Sequence, residues 1–146
     1  MSCYFFTMIR YHYNFYVDFK QQLKTLRDLR WLKENKIVVF YPNPWKTLKL
    51  IFKRPVVKYQ CEEDIDCYWV SGGNGGSYYP PSEIRVCPRG MDQAFIERTV
   101  RHEITHLKYD KDVQGMSHQE KEAYIITKDT LDKSLEKQPN PPVVQE

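Results

Sequence analysis

The most regular pattern of apolar and polar residues lies between residues 93 and 109, a stretch without glycine or proline. Its apolar residues recur at three- and four-residue spacing: Phe95, Ile96, Val100, Ile104 and Leu107. This period predicts an amphipathic α-helix, and Asp92 is placed to cap its first turn. The other side of this helix carries polar residues: Thr99, His102, Glu103 and His106. One face can therefore enter a core while the other borders a cleft.

A second helix is predicted after Gly115. Ser117 can accept a hydrogen bond from the amide of Glu120, whose side chain can reach back to the amide of Ser117, which is the pattern of a capping box. Further residues continue this helix to about Lys137: Ala123, Ile125, Ile126, Thr130, Leu131 and Leu135.

A third helix is predicted over residues 18–35, where Asn35 is a reasonable stop. Its apolar stripe consists of Phe19, Leu23, Leu26, Leu29 and Trp31. We expect this stripe to pack against a sheet, with the basic residues of the helix in solvent. Before it, the loose aromatic pattern of residues 1–19 does not distinguish a strand from a helix.

Short β-branched and aromatic runs predict strands in the middle of the chain. They are residues 37–41, residues 47–52 with a continuation over 56–59, residues 67–70 and residues 83–87. The glycine-rich stretch 71–76 predicts a hairpin connection or a mobile flap. It does not fit a phosphate-binding loop, because no Gly-Lys-Ser/Thr follows and no helix begins there.

Composition and length indicate one α+β domain. The chain has 146 residues, of which 41% are hydrophobic and 14% aromatic, so it can bury a core. We expect a single domain over residues 1–137, with a short, mostly antiparallel sheet packed on the N-terminal helix and on helix 93–109. Residues 138–146 form a proline-rich tail that we expect to be disordered.

The charge, hydropathy and cysteines of the chain bear on where it acts. A formal charge of +3 is too small to indicate nucleic-acid binding by itself. No apolar run is long enough to span a bilayer, and residues 1–20 lack the apolar core of a secretory signal. We therefore expect a soluble cytoplasmic protein, with an organellar location left open. A disulfide among Cys61, Cys67 and Cys87 is possible, although reduced thiols are favoured.

The candidate chemistry lies in Arg101-His102-Glu103-Ile104-Thr105-His106. Two histidines four residues apart lie one turn apart on the same face of a helix, so their imidazoles can converge on one cation. Glu103 would then lie beside that cation, where it can take a proton from metal-activated water. This arrangement of two ligands and a base is why the motif His-Glu-x-x-His is typical of zinc hydrolases.

A catalytic zinc usually has three protein ligands, so one more is expected. If Glu120 is used by the capping box, Glu122 is the freer carboxylate of the second helix. His118, Glu120 and Asp110 stay open as alternatives, and Asp110 can instead be a hydrogen-bond acceptor for an imidazole.

The motif and the order of elements resemble the zincin metallopeptidases, over about residues 67–130. The metzincin subclass has a glycine and a third histidine soon after the second histidine of the motif, and residues 107–113 contain neither. Glu122-Ala123 instead resembles the gluzincin pattern, especially that of small ImmA/IrrE-like peptidases, and the resemblance implies Glu122 as third ligand. It also implies an edge strand that pairs with an extended substrate, either residues 84–87 or an earlier strand.

The resulting expectation is a zinc-dependent peptidase with one zinc per chain, held by His102, His106 and Glu122. Glu103 would be the general base, and the substrate a protein or peptide. The candidate donors to the oxyanion are Tyr78, Tyr79, Tyr109 and Tyr124. The alternative is a non-catalytic, zinc-stabilised binding module for a protein or nucleic acid. A third hypothesis is a SprT-type protease associated with nucleic acid, which would bind it through the basic residues between Lys46 and Lys58. Such a run of basic residues is more typical of a solvated face.

Overall fold

The structure is a computed structural model that describes residues 9–53 and 63–131. In chain order its elements are β1 (Ile9–His12), α1 (Phe15–Glu34), α2 (Pro44–Lys53), β2 (Ile65–Trp69), β3 (Gly76–Tyr79), β4 (Glu83–Val86), α3 (Gln93–Lys108) and α4 (His118–Leu131). The expected α+β class is confirmed. No helix among these residues is long and apolar enough to cross a bilayer.

The sheet has four strands in the order β1-β2-β4-β3. β2 runs parallel to both β1 and β4, whereas β3 and β4 are antiparallel. The sheet is therefore mixed, and the expectation of a mostly antiparallel sheet is wrong. β3 lies at an edge, and the glycine-rich stretch carries the chain from β2 past β4 to reach it. The stretch is thus a crossover and not a hairpin turn, and Gly72 and Gly73 within it are buried.

The hydrophobic core lies between one face of the sheet and α3. Alternate residues of β2 and β4 point into it: Ile65, Cys67, Trp69, Ile84 and Val86. Residues of α3 at helical spacing meet them: Ile96, Val100 and Ile104. The predicted stripe of α3 is thus confirmed as a core face. Cys67 and Cys87 are buried free thiols, so no disulfide joins them, and Cys61 lies outside the described residues.

The helix α1 covers the other face of the sheet, but with its polar side inward. Its buried residues include Asp18, Gln21 and Thr25, whereas Phe19, Leu23 and Leu26 are half or more exposed. The expected orientation of the stripe is therefore wrong. The reason is tertiary: Asp18 accepts a hydrogen bond from the amide of Ser71 at 2.9 Å, so this helix binds the backbone of the crossover.

Two predicted strands before residue 60 are not strands. Residues 44–53 form α2, because Asn43 caps the helix by accepting from the amide of Lys46 at 3.0 Å and Pro44 occupies the first helical position. Residues 37–41 form only one isolated bridge, between Phe40 and Gly73. The predicted continuation over 56–59 lies outside the described residues, as do residues 132–146 with the predicted tail.

The helices that carry the candidate site begin as predicted. Asp92 caps α3 by accepting from the amide of Phe95 at 2.7 Å. Ser117 and Glu120 form the capping box of α4, with the Ser117 amide donating to Glu120 at 2.8 Å and the Glu120 amide donating to Ser117 at 3.3 Å. Gly115 supplies the left-handed turn before it. These local signals fix where α4 starts and therefore which of its residues face α3.

Candidate metal centre

The two histidines of α3 converge as their spacing predicts. Nε2 of His102 and Nε2 of His106 lie 3.1 Å apart, and the two rings are nearly perpendicular. His106 is buried and His102 is nearly so. Both Nε2 atoms therefore point at one small volume beside the helix.

Glu122 of α4 completes this group. Its Oε2 lies 3.1 Å from Nε2 of His102, and its Oε1 lies 3.1 Å from Nε2 of His106. One donor atom from each of the three residues falls within 4.8 Å of the others. The structure thus brings together the three residues that the sequence singles out as ligands.

The donor set suits a zinc ion. Two nitrogens bound to tetrahedral zinc at about 2.0–2.1 Å lie about 3.3 Å apart, close to the 3.1 Å between the two imidazoles. Two neutral imidazoles and a carboxylate leave one net positive charge on a divalent ion, which a fourth, exchangeable ligand can share. His102, His106 and Glu122 are therefore a group that can hold a metal ion.

Asp129 contacts the second ring nitrogen of His102, the one that does not face Glu122. Its Oδ2 lies 3.1 Å from Nδ1 of His102, and the residue is only 6% exposed. Because a carboxylate only accepts, Nδ1 must donate, and Nε2 of His102 faces His106 and Glu122. Asp129 is not among the residues predicted from the sequence. Its position two helical turns after Glu122 places both on one side of α4 and is the signal that could have found it.

The charges of the metal-free group are interdependent. Burial lowers the pKa of His102, but hydrogen bonds to Asp129 and Glu122 outweigh it and raise the pKa to about 10. Burial likewise raises the pKa of Glu122, but its hydrogen bonds to His102 and His106 hold it well below the usual range. The metal-free group therefore contains an ion pair between protonated His102 and the Glu122 carboxylate.

Glu103 is buried against β3. A Cβ atom on Gly76 would lie 2.6 Å from Oε1 of Glu103, so only a glycine lets the carboxylate approach the strand this closely. Burial raises the pKa of Glu103 to about 7, although the positive charge of His102 opposes this. Glu103 is thus a buried carboxyl that can exchange a proton near neutral pH.

Of the four tyrosines predicted as candidate oxyanion donors, Tyr78 contacts His106, one of the candidate ligands. Its ring stacks on His106 with 4.5 Å between centroids, and its hydroxyl accepts from Nζ of Lys121 at 3.3 Å. Tyr79 points to the opposite side of β3, where it bonds Gln21. The rings of Tyr109 and Tyr124 meet edge-on, and Tyr124 donates to Asp112.

The alternative third ligands stand outside the group. Glu120 is used by the capping box, as expected. Nδ1 of His118 lies 4.0 Å from Oε1 of Glu122, and its ring meets Trp31 of α1 edge-on. Asp110 is not among the grouped residues, and the acceptor for an imidazole N–H is Asp129 instead.

The edge strand next to the group is β3. The carbonyl of Gly75 accepts from the amide of Cys87 at 2.6 Å, so these two residues form a hydrogen-bonded pair of the β3–β4 ladder. Hydrogen-bonded and non-hydrogen-bonded pairs alternate along an antiparallel ladder. The amides and carbonyls of Gly76 and Tyr78 therefore point away from β4. Among the described residues no further strand pairs with this edge.

Comparison with known proteins gives no match: no family model, curated protein or solved structure corresponds to the chain.

Proposed function

We propose that this chain is a zinc-dependent peptidase of the zincin type. The observation that carries the proposal is the position of Glu103. Its carboxyl lies against Gly76 of the edge strand and is close enough to His102 and Glu122 for their charges to shift its pKa. A purely structural metal site has no use for a buried carboxyl beside its ligands.

His102, His106 and Glu122 would hold the zinc, which when bound lowers the pKa of water and polarises a carbonyl. Asp129 keeps His102 oriented, since its carboxylate fixes the proton on Nδ1. Glu103 accepts a proton from the attacking water and delivers it to the leaving amine. Its pKa of about 7 suits both roles at neutral pH.

β3 would position the substrate. An extended peptide can pair with the free amides and carbonyls of Gly76 and Tyr78 by strand addition. Its backbone would then run beside Glu103, because the Glu103 carboxyl touches β3 at Gly76. Since strand addition uses main-chain groups, the substrate class is an unfolded or extended segment of protein.

The test is cleavage of fluorescein-labelled casein by zinc-loaded protein. We expect Glu103→Gln to lower the rate by at least about 100-fold while zinc stays bound, because only proton transfer is removed. Glu97→Gln is the matched control, since Glu97 lies on the same helix and bonds Gln93. Cleavage that persists in Glu103→Gln would contradict the proposal.

The second candidate, a zinc-stabilised binding module, has one observation in its favour. His118 lies 4.0 Å from Glu122 and could close a fourth coordination position by a small movement. If the chain is such a module, His118→Ala would weaken zinc binding. If the chain is a peptidase, the variant keeps its zinc, because the fourth coordination position belongs to water and substrate.

A further inference from the structure

A cavity of about 110 Å³ lies on the side of β3 opposite the metal centre. It is lined by residues of α1, by Ser77 of β3 and by Asn74, which lies two residues before β3. Its lining includes Lys24, Asp28, Trp31, Leu32, Asn74 and Ser77. None of them belongs to the candidate metal centre.

The alternation of side chains along a strand connects this cavity to the edge of β3. Gly76 and Tyr78 face α3, whereas Ser77 and Tyr79 face α1. A peptide added to β3 would alternate in the same way. If one of its side chains points towards the metal ligands, the next points towards α1, where the cavity lies beside Ser77.

The lining of the cavity is rich in hydrogen-bond acceptors. Asp28 has one described partner, the exposed Arg27 at 3.3 Å, so its carboxylate keeps capacity to accept. Asn74 and Ser77 add neutral oxygens. Lys24 is the one lysine of the lining, and its ammonium donates to the Tyr79 hydroxyl at 3.1 Å and lies over the Tyr79 ring. Trp31 and Leu32 provide apolar surface.

We propose that this cavity is a specificity subsite for a lysine or arginine side chain of the substrate. The aliphatic stem would lie against Trp31 and Leu32, and the cationic end would donate to Asp28. The proposal rests on the proposed function, because it takes β3 as the strand that binds the peptide. It adds the chemistry of one substrate residue, which the metal centre does not specify.

The test uses a mixture of synthetic peptides of randomised sequence, digested by zinc-loaded protein and sequenced by mass spectrometry. Wild type should show lysine and arginine enriched at one fixed position relative to the cut. Asp28→Asn should lower that enrichment about tenfold, because a charge-assisted hydrogen bond is lost, while cleavage of peptides with a neutral residue there is unchanged. Glu34→Gln is the matched control, since Glu34 is an exposed carboxylate of the same helix that pairs with Arg30 outside the cavity.

A binding experiment separates this proposal from the proposed function. Peptides from the same mixture that carry lysine or arginine are titrated into zinc-loaded Glu103→Gln protein, with and without Asp28→Asn. Binding that depends on Asp28 supports the subsite even if wild type cleaves nothing, in which case only the peptidase fails. Cleavage with no preference at any position, or with a preference for acidic residues, overturns the subsite and leaves the peptidase. If the protein neither cleaves nor binds these peptides, both the subsite and the peptidase are overturned.

Discussion

Asp129 and His102 are joined across two helices by a 3.1 Å contact between Oδ2 and Nδ1. The residues are 27 positions apart in sequence, and Asp129 is buried. The contact determines which nitrogen of His102 carries a proton and therefore which one can bind a metal. It also makes α4 supply two carboxylates to the centre, one beside each nitrogen of His102.

We predict that Asp129→Asn lowers zinc affinity about 10- to 100-fold, because His102 loses its orienting acceptor and part of its basicity. Competition with a chromophoric chelator measures the affinity. Asp110→Asn is the control, since Asp110 is an aspartate after α3 that is not grouped with the ligands. Equal affinities of the two variants would show that Asp129 has no role in metal binding.

Zinc binding should release protons. The metal-free pKa of His102 is raised from 6.5 to about 10, so the imidazole is protonated at neutral pH and must lose that proton to bind zinc. Affinity should therefore rise with pH up to about 10, by about tenfold per unit for one proton. A weakly buffered titration with a pH indicator should detect about one proton per zinc near neutral pH.

The same titration of Asp129→Asn provides the comparison. The hydrogen bond to Asp129 helps to raise the pKa of His102, so the variant should release fewer protons at the same pH. Zinc uptake by wild type without a change of pH would mean that His102 is neutral before the metal arrives.

In metal-free protein, Glu103→Gln should be stabilising at alkaline pH. The folded-state pKa of Glu103 is raised from 4.5 to about 7, so its contribution to stability is fully present below pH 4.5 and is lost as pH rises through about 7. The advantage of the amide should grow across this window to about 3 kcal/mol. Urea denaturation with a chelator, repeated at several pH values, measures it. A constant difference between the two proteins would contradict the shifted pKa.

Gly76→Ala tests the close approach of Glu103 to β3. A Cβ there would lie 2.6 Å from Oε1 of Glu103 and 2.8 Å from Cγ2 of Thr99. We expect a loss of about 1–3 kcal/mol in the free energy of unfolding and slower casein cleavage, with the zinc retained. In a Glu103→Ala background the cost should be smaller, because one of the two clashes is absent. An equal cost in both backgrounds would mean that the carboxyl does not touch the strand.

The grouping of the three candidate ligands was predictable because the signals that place them are local. Asp92 caps α3, and Ser117 with Glu120 caps α4, so both helices start where the sequence indicates. Once these starts are fixed, helical geometry decides that His102, His106 and Glu122 lie on facing sides. Asp129 belongs to no motif: its spacing from Glu122 places it on the same side of α4, but its contact with His102 depends on how α4 packs on α3.

Other parts of the fold depend on tertiary contacts or on ambiguous periods. Over residues 47–52 the apolar positions fit a strand through Leu48 and Leu50 and a helix through Leu48 and Ile51, and the cap at Asn43 decides for the helix. The inward face of α1 is set by hydrogen bonds such as the one from Ser71 to Asp18, across 53 residues. No local hydrophobic pattern encodes such a contact.

The central claim is that His102, His106 and Glu122 hold zinc while Glu103 stays free for chemistry. Elemental mass spectrometry of zinc-reconstituted wild type, Glu122→Ala and Glu103→Gln tests it most directly. We predict about one zinc per chain in wild type and Glu103→Gln, with loss of zinc in Glu122→Ala. Zinc retained by Glu122→Ala would move the third ligand elsewhere, and a wild-type chain without zinc would contradict the account.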